Sequence, residues 1–209
     1  MINRGEEQRA HLIMKLRGQG IRSASVLSAI ESVPRDIFIE NALKNHAWEN
    51  VTLPIGEGQT ISQPYIVALM TTALNLSGKE IVLEIGTGSG YQASILSLLC
   101  RRVYTIERIK TLHEFSNKKF KELKVNNITS KFGNGSFGWP EVSPFDRIIL
   151  TCAINEIPKI LFHQLKVGGI LVGPEILDNK NQVLNKYIQI EKNKFEKEKI
   201  EDVKFVPML

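Results

Sequence analysis

The run Ile81-Val82-Leu83-Glu84-Ile85-Gly86-Thr87-Gly88-Ser89-Gly90 decides the fold. Its first half is a short apolar stretch of the kind that forms a buried strand, and its second half is a glycine-rich turn. Glycine lets the chain turn sharply from strand to helix and lets a ligand reach the backbone with no Cβ in the way. Outward from this run the pattern alternates. Residues 91–99 read as a helix and 102–106 as a strand, followed by a lysine-rich helix with Leu112, Phe115, Phe120 and Leu123 on one face. Strands are expected over 128–132, 145–152 and 170–172, with a helix over 157–165 that Gly168-Gly169 ends. The tail offers two more strand candidates, 186–191 and 203–206. Repeated strand–helix units imply a doubly wound, mostly parallel sheet with helices on both faces. Ligands of such sheets sit at the carboxyl ends of the strands, here the loops after Ile85, Ile106, Phe132 and Thr151.

Upstream, the first 45 residues read as helical, with Ser23 or Ser25 capping a second helix. Pro54, Gly56 and Gly58 mark 51–61 as irregular, and Ser62 reads as the N-cap of a helix that has Pro64 in its first turn. A single domain is expected, with 1–79 a helical and substrate-covering segment and 80–209 the α/β core.

The 209 residues are 43% hydrophobic and 23% charged, which excludes a disordered chain, a collagen-like repeat and a disulfide-stapled miniprotein. The net charge of +5 is mild and its lysines are interspersed with acids, so no nucleic-acid partner is expected. The stretch 180–204, from Lys180 to Lys204, reads as a solvated surface of mixed charge. Cys100 and Cys152 sit in apolar runs and read as small buried hydrophobes, and no spacing suggests a metal site. The polar start, Met1 to Glu7, is unlike a secretory signal, and no apolar run approaches the ~20 residues of a membrane span. A cytoplasmic monomer is the expectation.

The glycine run is G-x-G-x-G, with Tyr91 where a dinucleotide fingerprint has its last glycine. That departure argues against a pyrophosphate ligand. It suits a ligand with an adenosine and a cationic end, the latter held by Glu84 directly or through water. Glu107 ends the second strand, 21 residues after Gly86, where an acid can accept hydrogen bonds from ribose hydroxyls. Asn134, in Gly133-Asn134-Gly135, can read an adenine edge or simply form a turn. Phe137 and Trp139 could stack on a base but suit core packing better, and His11, His46, His113 and His163 fall in no motif. Asp146, at a strand start, reads as structural.

The stretch from Leu53 through Gly58-Gln59-Thr60-Ile61-Ser62-Gln63-Pro64 to Ala68 closely resembles the signature of the protein-L-isoaspartate O-methyltransferases. The glycine loop is similar to the first motif of S-adenosylmethionine-dependent methyltransferases. Ser32 to Arg35, Val103 to Arg108, Phe145 to Ala153, Ile157-Pro158, Gln164 to Gly169 and Phe205 to Pro207 resemble further blocks of the same family, in order. The resemblance implies a Rossmann-like methyltransferase sheet of seven strands, one antiparallel near the tail, with N-terminal helices. It implies S-adenosyl-L-methionine as cofactor and methyl transfer to the free carboxylate of L-isoaspartyl or D-aspartyl residues of damaged proteins and peptides.

It also implies residue roles. Ser62 would hold the substrate carboxylate as the catalytic residue, with Gln59, Gln63 and Thr151 beside the substrate. Thr60, Ile61, Glu84, Gly86, Gly88, Gly90, Glu107, Arg108, Asn134 and Gly135 would hold the cofactor, and Gly58, Gln59 and Thr60 would cover it. Three positions depart from the family pattern: Asn134 replaces an Asp, Cys152 replaces an alanine, and Trp48-Glu49-Asn50 replaces a Tyr-centred version. The competing readings are a methyltransferase for RNA or a small molecule, and a silent relative that keeps the fold.

Overall fold

A computed structural model describes residues 4–178 and 181–208. Residues 1–3 of the polar start and Lys180 of the mixed-charge stretch lie outside the described residues. The chain opens with helices α1 (Arg4–Gly18) and α2 (Ala24–Ser32), and Ser23 caps α2 by accepting the Val26 N–H at 3.4 Å. Two 3₁₀ turns, Arg35–Phe38 and Asn41–His46, follow. The stretch expected to be irregular is instead an antiparallel hairpin, β1 (Leu53–Gly56) with β2 (Gln59–Ile61). Its two-residue turn places both Glu57 (φ 53°) and Gly58 (φ 69°) in the left-handed region, as the favoured tight hairpin turn requires. Helix α3 (Pro64–Ala73) then leads into the core, with Pro64 at its start.

The core is one seven-stranded sheet. Its strands are β3 (Ile81–Ile85), β4 (Arg102–Glu107), β5 (Ile128–Phe132), β6 (Phe145–Leu150), β7 (Leu165–Ile176), β8 (Gln182–Glu191) and β9 (Lys194–Val203), in the spatial order β5-β4-β3-β6-β7-β8-β9. β3 pairs in parallel with β4 on one side and β6 on the other, so the chain winds outward to β5 and then returns across β3. That reversal opens a crevice at the carboxyl end of β3. β8 runs against both β7 and β9 and is the one reversed strand.

Helices α4 (Tyr91–Ser97), α5 (Lys110–Glu122) and α6 (Lys159–His163) cover the sheet. Alternation along the strands builds a core on each face. Val82 and Ile149 pack with Ala93 and Phe120 on one face, whereas Leu83, Ile148 and Leu150 pack with Leu161 on the other. The N-terminal helices bury their apolar residues against Tyr91 and Ile95 of α4, so the described part of this segment is packed onto the core. Asp146 ties β6 to β3, accepting from the Ile81 N–H at 2.8 Å and from Lys166 Nζ at 2.7 Å.

Two further expectations change. Gly168 and Gly169 do not end a helix: α6 stops at His163, and β7 runs through both glycines. The last strand is Lys194–Val203, not 203–206. The mixed-charge stretch therefore forms a hairpin whose charges pair, Lys186 with Glu198 at 3.1 Å and Lys197 with Glu175 of β7 at 2.9 Å. Among the described residues no helix is long and apolar enough to cross a membrane.

Candidate active site

The crevice holds a cavity floored by the glycine loop. Gly86 (φ 94°) follows β3 directly, and its N–H donates to the Ile106 carbonyl at 2.9 Å. A Cβ there would lie 2.5 Å from Thr151 Oγ1, so only glycine fits. Thr151 turns its hydroxyl onto the carbonyls of Ile85 (3.0 Å) and Gly86 (2.5 Å), fastening the loop to the end of β6. Expected beside the substrate, Thr151 does line the cavity, but its proton is committed to the loop. Gly90 departs from expectation. It lies outside the cavity wall, and a Cβ on it would come 2.8 Å from Phe120, so it serves the packing of α4 against α5.

Glu107 ends β4 with its carboxylate buried and fixed at both oxygens. Oε2 accepts the Gly88 N–H and Oε1 the Ile109 N–H, each at 2.8 Å. A carboxylate has about four lone-pair sites, so each oxygen keeps capacity for a ligand hydroxyl. Arg108, Asn134 and Gly135 line the same cavity. Asn134 Oδ1 accepts the Ser136 N–H at 2.9 Å and caps the 3₁₀ turn Gly135–Phe137, and its NH₂ makes no hydrogen bond among the described residues. Phe137 is exposed and Trp139 packs edge-on against Tyr104, and neither lines the cavity.

Glu84 also departs from expectation. Its side chain is fully buried in the sheet, absent from the cavity wall, and accepts from Thr105 Oγ1 at 2.5 Å. Among the described residues its Oε1 has no partner, and burial pushes the carboxyl up to about 8. It reaches the cavity only through hydroxyls, since Thr105 Oγ1 lies 2.6 Å from Oγ1 of the cavity residue Thr87.

At the other end, Gln59, Thr60, Ile61 and Ser62 line the wall, whereas Gln63 does not: its Nε2 donates to the Asn50 carbonyl at 3.0 Å. Ser62 is not the N-cap of α3. Gln63 holds that position without a side-chain bond, and the free Tyr65 N–H is taken by Asn50 Oδ1 at 2.9 Å. The Ser62 hydroxyl makes no hydrogen bond among the described residues, while its carbonyl accepts from Arg35 at 3.1 Å. The wall also includes Val67, Met70, Tyr91, Gln92, Leu112 and the tail residues Phe205 to Met208, none of which local sequence reading assigned to the site. The tail arrives by backbone pairing, Ala153 N–H to the Val206 carbonyl at 2.9 Å and Met208 N–H to the Ala153 carbonyl at 2.7 Å. Cys100 is a core residue, as expected. Cys152 instead faces the cavity, where burial pushes its thiol up to about 12.

The family model for "Protein-L-isoaspartate(D-aspartate) O-methyltransferase" matches residues 7–209. A protein-L-isoaspartate O-methyltransferase of Parvibaculum lavamentivorans is 48% identical over all of this chain and 94% of its own. One of Dictyoglomus thermophilum is 49% identical over 97% of this chain and 91% of its own. Among solved structures, a protein-L-isoaspartate O-methyltransferase superposes with a TM-score of 0.87 at 27% identity, over 95% of this chain and 65% of that longer one. A Plasmodium falciparum protein assigned the same activity, crystallised with S-adenosyl-L-homocysteine, shares the fold at a TM-score of 0.84 and 24% identity, over 100% of this chain and 99% of its own.

Proposed function

The chain belongs to the protein-L-isoaspartate(D-aspartate) O-methyltransferase family, and from that membership we propose how its own residues methylate the free carboxylate of L-isoaspartyl and D-aspartyl residues in damaged proteins. S-adenosyl-L-methionine, when bound, supplies the electrophilic methyl group. The cavity suits it: a buried carboxylate with spare lone pairs at Glu107, a side-chain-free loop at Gly86 and Gly88, and an apolar wall from Val67, Met70, Ile85, Ile106 and Leu112.

In this reading Glu107 takes the ribose hydroxyls, Asn134 and Gly135 meet the adenine, and Arg108 flanks them. Thr60 and Ile61 cover the site from the hairpin. Ser62 holds the acceptor carboxylate. That carboxylate is ionised at neutral pH and needs no general base, so the work left to the protein is positioning and exclusion of water. The methyl ester then opens the way back to normal aspartate through a succinimide. Two free thiols, Cys100 and Cys152, suit a reducing compartment, and we place the enzyme in the cytoplasm as a monomer acting on protein and peptide chains.

The observation that carries the site assignment is the unengaged Ser62 hydroxyl on the wall of the cavity that Glu107 also lines. The test is incubation with labelled S-adenosylmethionine and an isoaspartyl peptide beside its normal aspartyl twin. Label is expected in the isoaspartyl peptide alone. Label in both peptides alike, or in neither, overturns the reading.

A further inference from the structure

Arg35 is completely buried behind Ser62. Its guanidinium donates to three backbone carbonyls: Ala47 at 2.7 Å, Val51 at 2.9 Å and Ser62 at 3.1 Å. Its Nε is buried without a partner, and among the described residues no carboxylate pairs with it. The Tyr91 ring centroid lies 5.8 Å from the guanidinium carbon, and the Tyr91 hydroxyl is itself buried and without a partner among the described residues. Burial lowers the guanidinium to about 10, so it stays charged at neutral pH. A buried cation without a counter-ion is costly, and such charges are ordinarily paired. Of the residues in contact with it, Ser62 and Tyr91 line the cavity.

We propose that Arg35 is a positioning residue for the reaction: it fixes Ser62 through the backbone carbonyl and sets an uncompensated positive potential behind the subsite that takes the substrate carboxylate. This rests on the isoaspartyl reading above. The consequence is discrimination between substrate and product. The anionic acceptor is held by this potential, whereas the neutral methyl ester is not, so methylation itself weakens the hold on the peptide.

The test compares Arg35→Lys, which keeps the charge but not the fork of donors, with Arg35→Met, which keeps much of the bulk and removes the charge. With S-adenosyl-L-homocysteine present to prevent turnover, binding of an isoaspartyl peptide is measured beside that of its neutral α-carboxamide analogue. The unaltered protein is expected to prefer the carboxylate. Arg35→Met should lose roughly tenfold of that preference, on the order expected for one charge acting across a short low-dielectric gap. Arg35→Lys should keep the preference even if both peptides bind less tightly. Equal weakening of both peptides in Arg35→Met makes Arg35 a scaffold only and overturns the inference. If Arg35→Met does not fold, Arg35→Lys decides: a retained preference supports the inference and a lost one overturns it. Equal binding by the unaltered protein overturns the inference alone if the isoaspartyl peptide is still methylated, and overturns both readings if it is not.

Discussion

Asn50 Oδ1 accepts the amide N–H of Tyr65 at 2.9 Å, so helix α3 is capped from 15 residues upstream instead of by its own flanking serine. The same side chain donates through Nδ2 to Gln19 Oε1 at 2.9 Å. One buried amide thus joins the end of α1, the loop before the hairpin and the start of α3. Because that cap is supplied from elsewhere, Ser62 is left with a hydroxyl that the fold does not use.

Asn50→Ala should therefore lower stability without touching cofactor affinity. An N-cap is worth about 1 kcal/mol, and leaving Gln19 without its partner adds a comparable loss. At ~2–4 °C per kcal/mol for a chain of this length, melting should fall by roughly 4–8 °C. A melting curve and a cofactor titration on the same sample check both halves.

Glu107→Ala removes the acceptor of two backbone amides as well as the one assigned to the ribose. Hydrogen bonds to a charged group contribute ~1.5–3 kcal/mol each, so affinity for S-adenosyl-L-homocysteine should drop ten- to a hundredfold or more. Calorimetry that returns an unchanged affinity removes Glu107 from the site.

Asn134→Asp should preserve or tighten cofactor binding. Either residue can accept the Ser136 N–H that Asn134 now holds at 2.9 Å. The aspartate presents a second acceptor where asparagine presents an NH₂ donor, and an adenine amino group needs an acceptor. A large loss of affinity with the fold intact would mean that the NH₂ itself is used.

The parts of the site that rest on short-range pattern were legible. The strand, the glycine turn and the acid 21 residues beyond Gly86 are all local. What misled was punctuation. Pro54, Gly56 and Gly58 read as breakers, yet a two-residue turn needs positive φ, and Glu57 at 53° supplies half of it with no glycine to mark it. Gly168 and Gly169 read as a stop and instead sit inside β7. Long-range contacts were silent. Nothing near Ser62 announces that Asn50 caps the helix, and nothing near Phe205 to Met208 announces that Ala153 draws the tail to the cavity. Strand alternation could have flagged Glu84, since Leu83 and Ile85 pack on one face and an intervening acid must point to the other.

Glu84 also gives a pH dependence. Burial raises its carboxyl from 4.5 to about 8, so the folded state keeps a proton that the unfolded chain releases. The stability this contributes is complete below 4.5 and is lost as pH rises through about 8. Melting of the cofactor-free protein should therefore fall across that window. Glu84→Gln, neutral at every pH, should flatten the fall. A profile of the same slope in both proteins would assign it to other groups.

Ser62→Ala separates structure from chemistry. Were Ser62 the helix cap, alanine would cost about 1 kcal/mol and lower melting by a few degrees. Asn50 performs that task, and the Ser62 hydroxyl has no partner among the described residues. The variant should therefore melt within about 0.5 kcal/mol of the parent, as for changes away from any structural contact. S-adenosyl-L-homocysteine affinity should also hold, since the cofactor contacts are assigned elsewhere in the cavity. Activity should not. A hydrogen bond to an anionic carboxylate contributes ~1.5–3 kcal/mol, and each 1.36 kcal/mol is about tenfold in rate. The value of kcat/KM on an isoaspartyl peptide should thus fall ten- to a hundredfold. A rise in KM alone would mean that the serine holds the carboxylate equally in ground and transition states, and a fall in kcat that it acts as methyl transfer proceeds. Near-full activity in a stable Ser62→Ala protein would remove this serine from the mechanism and leave the carboxylate to Gln59 and Thr60.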